Sequence, residues 1–116
     1  MTPELLSTQE LIDITKSRGE GSIYGNQNEK YALCYYYNFD NFYTFVYSNP
    51  MSEYNFDAKV NFTIENYLLE LFPEDIENTW NIRLNPNQTL LKKINVIDFQ
   101  KKVSWDSNTT YKFIKV

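Results

Sequence analysis

At 116 residues the chain has the length of one folding unit, and no low-complexity stretch or Pro/Gly/Ser-rich linker divides it, so a single domain over residues 1–116 is expected. Its 42% hydrophobic, 17% aromatic and 22% charged residues exclude a disordered chain, and no stretch approaches the roughly 18 to 20 apolar residues that span a bilayer. The net charge of −4 comes with no histidine, which removes the usual general base, the Ser-His and Cys-His nucleophile pairs and the commonest zinc ligand.

The N-terminus, Met1-Thr2-Pro3-Glu4, has no basic segment leading into an apolar run, so secretion is not expected. The single cysteine, Cys34, lies in the apolar run Ala32-Leu33-Cys34-Tyr35 and reads as a small packed hydrophobe, which fits a reducing cytoplasm. Charge is divided along the chain. Residues 1–80 hold four Lys/Arg and thirteen Asp/Glu, residues 81–116 hold seven and two, and these portions are expected to face one another or solvent within the domain.

Ser7 and Glu10 make a capping box, with Leu6 and Leu11 at the positions of a hydrophobic staple, so a helix is expected from Thr8 to Arg18. Lys16 and Arg18 suit its C-terminal end, and Gly19 is placed for a left-handed cap. Gly19, Gly21 and Gly25 concentrate backbone freedom in an expected mobile loop over residues 19–28. Residues 30–38 and 42–48, rich in Tyr, Phe and Val, then predict a β-hairpin about Phe39, Asp40 and Asn41. Residues 53–62 alternate cleanly, with Tyr54, Phe56, Ala58, Val60 and Phe62 on one side, and read as a half-buried strand.

Thr63 is placed to cap a second helix through Ile64, Tyr67, Leu68 and Leu71, and Pro73, Glu74 and Asp75 to open a short helical turn reaching Trp80. Leu90, Leu91, Ile94 and Ile97 lean towards strand because β-branched residues dominate. Residues 99–105 and 111–116 flank Asp106, Ser107 and Asn108 as a second hairpin would. The expected fold class is α+β, an antiparallel β-sheet with two or three helices packed on one face.

Several chemical readings are weak. The glycine spacing superficially resembles a phosphate loop, but it leaves a helix and enters a strand, and Glu20 would repel phosphate. A Mg-dependent nuclease needs carboxylates and a lysine, for which Asp40, Asp57 and Lys59 are the candidates; Asp57 and Lys59 fall on the polar side of their strand, where solvated charge is ordinary. No catalytic residue, metal or cofactor is expected.

The positive signal is aromatic. The hairpin carries Tyr31, Tyr35, Tyr37, Tyr43 and Tyr47, more than one buried face requires, and tyrosine provides rigid amphipathic contact area. The acids Glu70, Glu74, Asp75 and Glu77 form a second candidate contact, able to imitate nucleic-acid phosphates before a basic groove of a nucleic-acid-handling protein. The expectation is a non-catalytic protein-binding module, an intracellular inhibitor of the immunity or phage anti-defence type that occupies a surface of a partner protein. The alternative is a single-stranded nucleic-acid binder that stacks bases on the tyrosines and uses Lys92, Lys93, Lys101 and Lys102 for phosphates, against which the acidic net charge weighs.

Overall fold

A computed structural model describes residues 5–116, so the reading of the first four residues lies outside it. Among the described residues the architecture is two antiparallel sheets packed face to face, with one short helix. This corrects the expected α+β class: there are not two or three helices on one sheet.

Helix α1 (Thr8–Arg18) forms where its capping box places it. Glu10 N–H donates to Ser7 Oγ at 3.1 Å and Ser7 N–H to Glu10 Oε1 at 3.0 Å. Gly19 is not the expected left-handed cap: at φ −80° and ψ 174° it is extended, and the chain runs directly into a strand. Glycine serves close approach there, since a Cβ would lie 2.3 Å from the Tyr36 carbonyl oxygen and 2.4 Å from that of Thr15. The expected mobile loop is largely strand β1 (Glu20–Gly25), paired along its length with β2 (Tyr31–Asn38).

β2 and β3 (Phe42–Ser48) make the expected hairpin, with Asp40 at φ 71° in its tip. β4 (Tyr54–Glu65) buries Phe56, Ala58, Val60 and Phe62 as its alternation requires, but it continues through Thr63 where a helix was expected. Its reversal comes at Asn66, φ 64°, whose side chain accepts from Asp98 N–H at 2.9 Å and donates to the Asp98 carbonyl at 2.7 Å. Strand β5 (Tyr67–Leu69) follows, with Tyr67 and Leu69 buried and Leu68 out. Two period-2 runs interrupted by a tight turn thus imitate helical spacing.

The helical turn expected from Pro73 is also replaced. Phe72 and Asp75 close one turn, Ile76 and Thr79 another with Asn78 at φ 61°, and Trp80 enters β6 (Thr79–Leu84). β7 (Thr89–Val96) is the strand that β-branching favoured. The second expected hairpin is instead one strand, β8 (Ser104–Lys115), because β4 is long enough to oppose all of it, from Glu65 against Ser104 to Tyr54 against Lys115. Asp106, Ser107 and Asn108 are mid-strand at a sheet edge, where polar side chains keep their water.

The sheets have strand orders β1-β2-β3-β7-β5 and β6-β4-β8. Their facing sides enclose Phe45, Tyr47, Phe56, Val60, Trp80 and Ile94, each at most 3% exposed. Helix α1 lies on the outer side of β2 and β3, where Thr15 Oγ1 is 2.5 Å from Thr44 Oγ1 and both residues are fully buried.

One inward position of β7 holds a charge. The Lys92 ammonium forms an ion pair with Asp75 Oδ2, both side chains 1% exposed, and sits 4.0 Å from the centroid of the Phe72 ring and 5.1 Å from that of Trp80. Asp75 also accepts the N–H of Phe72 and the N–H of Asn81, each at 2.7 Å. Losing one member strands the other's charge, so Asp75→Ala or Lys92→Ala is expected to destabilise by about 3–5 kcal/mol, and the joint change Lys92→Met with Asp75→Asn by much less. Urea unfolding of the three variants measures this; losses that simply add would mean the two groups do not act as a pair.

Candidate functional site

Alternation in β2 sends Ala32, Cys34 and Tyr36 into the core and Tyr31, Leu33, Tyr35 and Tyr37 to the outer side. Across the ladder Gly21 opposes Tyr35, Ile23 opposes Leu33 and Gly25 opposes Tyr31. Glycine at position 21 lets the Tyr35 ring lie across the neighbouring strand, since a Cβ there would come 3.0 Å from that ring, whereas Gly25 is called for by its φ of 90° and by the Lys30 carbonyl beside it. Between them Ile23 is 49% exposed. Helix α1 lies against β2 and β3 more than β1, leaving a shallow groove of about 330 Å³ lined chiefly by Ser22, Ile23, Tyr31, Leu33 and Tyr35.

The five tyrosines singled out from the sequence do not form one surface. Tyr31 and Tyr35 belong to this strip, both partly exposed. Tyr37 shares the outer side but lies by the C-terminal end of α1, beside Ile14 and Arg18, with its ring 4.8 Å from that of Phe39. Tyr43 and Tyr47 face the core. Tyr47 is 1% exposed, its hydroxyl held well above its ordinary pKa by burial, and Tyr43 packs edge-on against Tyr67 and Trp105. Neither belongs to the outer strip.

The acids are elsewhere. β1 and β5 are opposite edges of the larger sheet, and Glu70, Glu74, Asp75 and Glu77 follow β5. Glu74 and Glu77 are exposed, Glu70 Oε1 accepts the Lys93 N–H at 3.2 Å, and Asp75 is buried in its ion pair. An acidic contact patch on this segment would rest on Glu74 and Glu77 rather than on all four. The lysines are likewise scattered: Lys92 is buried, Lys93 lies 5.3 Å from the Phe42 ring on the outer side, and Lys101 and Lys102 are exposed between β7 and β8. Lys92 therefore has no reach to a phosphate.

Asp40 is at the β2–β3 turn, whereas Asp57 and Lys59 are on the outer face of the other sheet, Asp57 3.9 Å from Arg83. Among the described residues no three His, Cys, Asp or Glu side chains gather as a metal site, and no helix is long and apolar enough to cross a membrane. The division of charge resolves partly by contact, since Asp75 meets Lys92 and Asp57 lies between Arg83 and Lys112 on neighbouring strands.

Ile23 went unnoticed in the sequence, and Gly21 was read only as a loop glycine, because β1 read as loop. The run Ser22-Ile23-Tyr24 between two glycines was the available signal. Comparison with protein-family models, with curated proteins and with solved structures found no match.

Behind the strip, Cys34 is buried on the core side, and burial pushes its thiol up to about 12. Thiolate is therefore scarce at neutral pH, and reaction with a disulfide reagent at pH 8 is expected to be slower by about 100-fold or more in the folded protein than in denaturant. Rapid stoichiometric labelling of the native state would instead mean that β2 is turned over by one residue.

Proposed function

We propose that this protein is a non-catalytic binding module that holds a partner protein against the outer side of β1 and β2. The observation that carries this reading is the strip of Ile23, Tyr31, Leu33 and Tyr35, a continuous apolar and aromatic surface on two fully paired strands that α1 leaves open. Tyrosine loses little side-chain entropy on binding and joins apolar contact to a polar tip. Ile23, flanked by the two rings, has the position of an anchor whose surroundings exclude water. The site acts by contact and shape, as an inhibitor that occupies a partner's surface does. A lone buried thiol is in keeping with a reducing compartment such as the cytoplasm.

The test compares Ile23→Asp and Tyr35→Ala with the unchanged protein, using a partner recovered by affinity capture with and without nuclease treatment. Both side chains face outward, so each variant is expected to keep its circular dichroism spectrum and lose at most about 1–2 kcal/mol of stability. Each is expected to weaken the partner's affinity by about 30-fold, the effect of removing an interface anchor. Folded variants that bind as tightly as the parent would sink this reading, and capture that depends on nucleic acid would replace it with the base-stacking one.

A further inference from the structure

The two sheets leave four edges, and three are short or obstructed. β5 spans three residues. β1 spans six, and its Gly25 N–H is taken by the Tyr111 hydroxyl at 3.1 Å. β6 spans six, and its Asn81 N–H is taken by Asp75 Oδ1. β8 is different: it runs for twelve residues, and among the described residues no segment other than β4 pairs with it.

Which of its backbone groups face outward follows from β4. Phe62 directs its N–H away from β8, to the Asn78 carbonyl at 2.8 Å, so the even-numbered residues of β4 bond on the β6 side. Their odd-numbered partners on β8, among them Ser107, Thr109 and Tyr111, therefore turn N–H and C=O to the free edge. The outward Ser107 N–H donates to Asp106 Oδ1 at 2.9 Å, a bond within β8 itself, whereas the acceptors that obstruct β1 and β6 belong to other segments packed against them.

We propose that β8 is a self-pairing edge, and that its partner is the β8 of a second copy of this chain, antiparallel about a twofold axis at Thr109. Two requirements select this register. If the inner faces of both copies are to lie on the same side of a continuous sheet, odd-numbered residues must oppose odd-numbered ones. Among the registers that satisfy this with nearly full overlap, the one centred on Thr109 sets Lys112 opposite Asp106 of the second copy, and Trp105 opposite its Phe113. Moving the centre to Thr110 would leave Asp106 facing Ile114 and put Trp105 against Lys115.

The outer face already prepares the charge pairing. Arg83 opposes Asp57 across β6 and β4, and Asp57 opposes Lys112 across β4 and β8. Asp106 of the second copy extends this row, so that four charges alternate in sign, + − + −, across the junction. A lysine on an edge strand deters foreign strands, which leave it unpaired. Against its own copy Lys112 finds a carboxylate twice, by symmetry. In this register Tyr111 on the inner face and Ile114 on the outer face, 45% and 42% exposed, gain neighbours as well. They oppose Ser107 and Ser104 of the second copy.

Analytical ultracentrifugation of the full chain at about 50 µM is the test, with a specific twofold dimer as the expected species. Asp106→Lys and Lys112→Asp are each expected to raise the dimer dissociation constant by about 10-fold or more through like-charge opposition, and the two together to restore it. These side chains face solvent on the outer side, and circular dichroism checks that every variant folds. A parent protein that sediments as a monomer at this concentration overturns the proposal, as do single reversals without effect or a double reversal that fails to recover dimer. The substitutions leave Ile23 and Tyr35 untouched, so partner binding through the outer strip is read separately.

Discussion

The contact between Lys92 and Asp75 is the buried charge through which three parts of the fold meet. Lys92 is on the inward side of β7 in the larger sheet, Asp75 in the β5–β6 connection, and Asn81, whose N–H Asp75 accepts, on β6 in the smaller sheet. An inward lysine without a counter-ion would leave several kcal/mol of desolvation unanswered. The carboxylate answers the charge, and the faces of Phe72 and Trp80 take the remainder of the ammonium's surroundings. Because the carboxylate also holds two backbone N–H groups, the charge that keeps Lys92 inside shapes the loop between the sheets. A hydrophobic pair of similar volume would match its stability and lose that directional hold.

Around this anchor the core is built from rings meeting edge to face. Trp80 contacts Phe45 at 5.3 Å, Phe62 at 4.7 Å and Tyr47 at 6.3 Å between centroids, while its Nε1–H donates to the Glu70 carbonyl at 2.8 Å. At the other end Trp105 of β8 stands edge-on to Tyr36, Tyr43 and Phe45. Large rings leave room for little else between the strands, so Ala32 and Ala58 complete the inner faces. The tyrosines divide accordingly. Inward ones fill volume, and outward ones on β2 have water or another surface as their neighbour.

What could be read from the sequence was what local chemistry determines. The Ser7–Glu10 box starts α1 within its own first turn, Asp40 accepts the left-handed conformation that its hairpin requires, and β4 alternates without interruption from Tyr54 to Phe62. The errors all involve distant contacts. The segment from Ile64 to Trp80 reads as helix until Asn66 is seen to reverse on Asp98 and Asp75 to bond to Lys92, at separations of 32 and 17 residues. β8 reads as a hairpin until β4 is seen to be long enough to pair with it throughout. The tyrosine strip was half legible for a related reason. Which side of β3 joins which side of β2 depends on the number of residues in the turn, and one residue more would exchange Tyr43 and Tyr47 with Phe42 and Val46.

The same anchor polarises the molecule. At the β5–β6 end the Trp80 indole takes the Glu70 carbonyl and the Asp75 carboxylate, held by Lys92, takes the Asn81 N–H. At the other end β1 lies over β8, where the Tyr24 and Tyr111 rings meet at 5.2 Å and the Tyr111 hydroxyl accepts the Gly25 N–H. Rings seal a core against water without consuming the hydrogen-bonding groups of a strand. That end retains both an open aromatic strip on β1 and β2 and the outer edge of β8, on two sheets that share one core. The molecule is thus sealed by charge at one end and by aromatic packing at the other, and it is at the second end that outward tyrosines and an outer strand edge lie together.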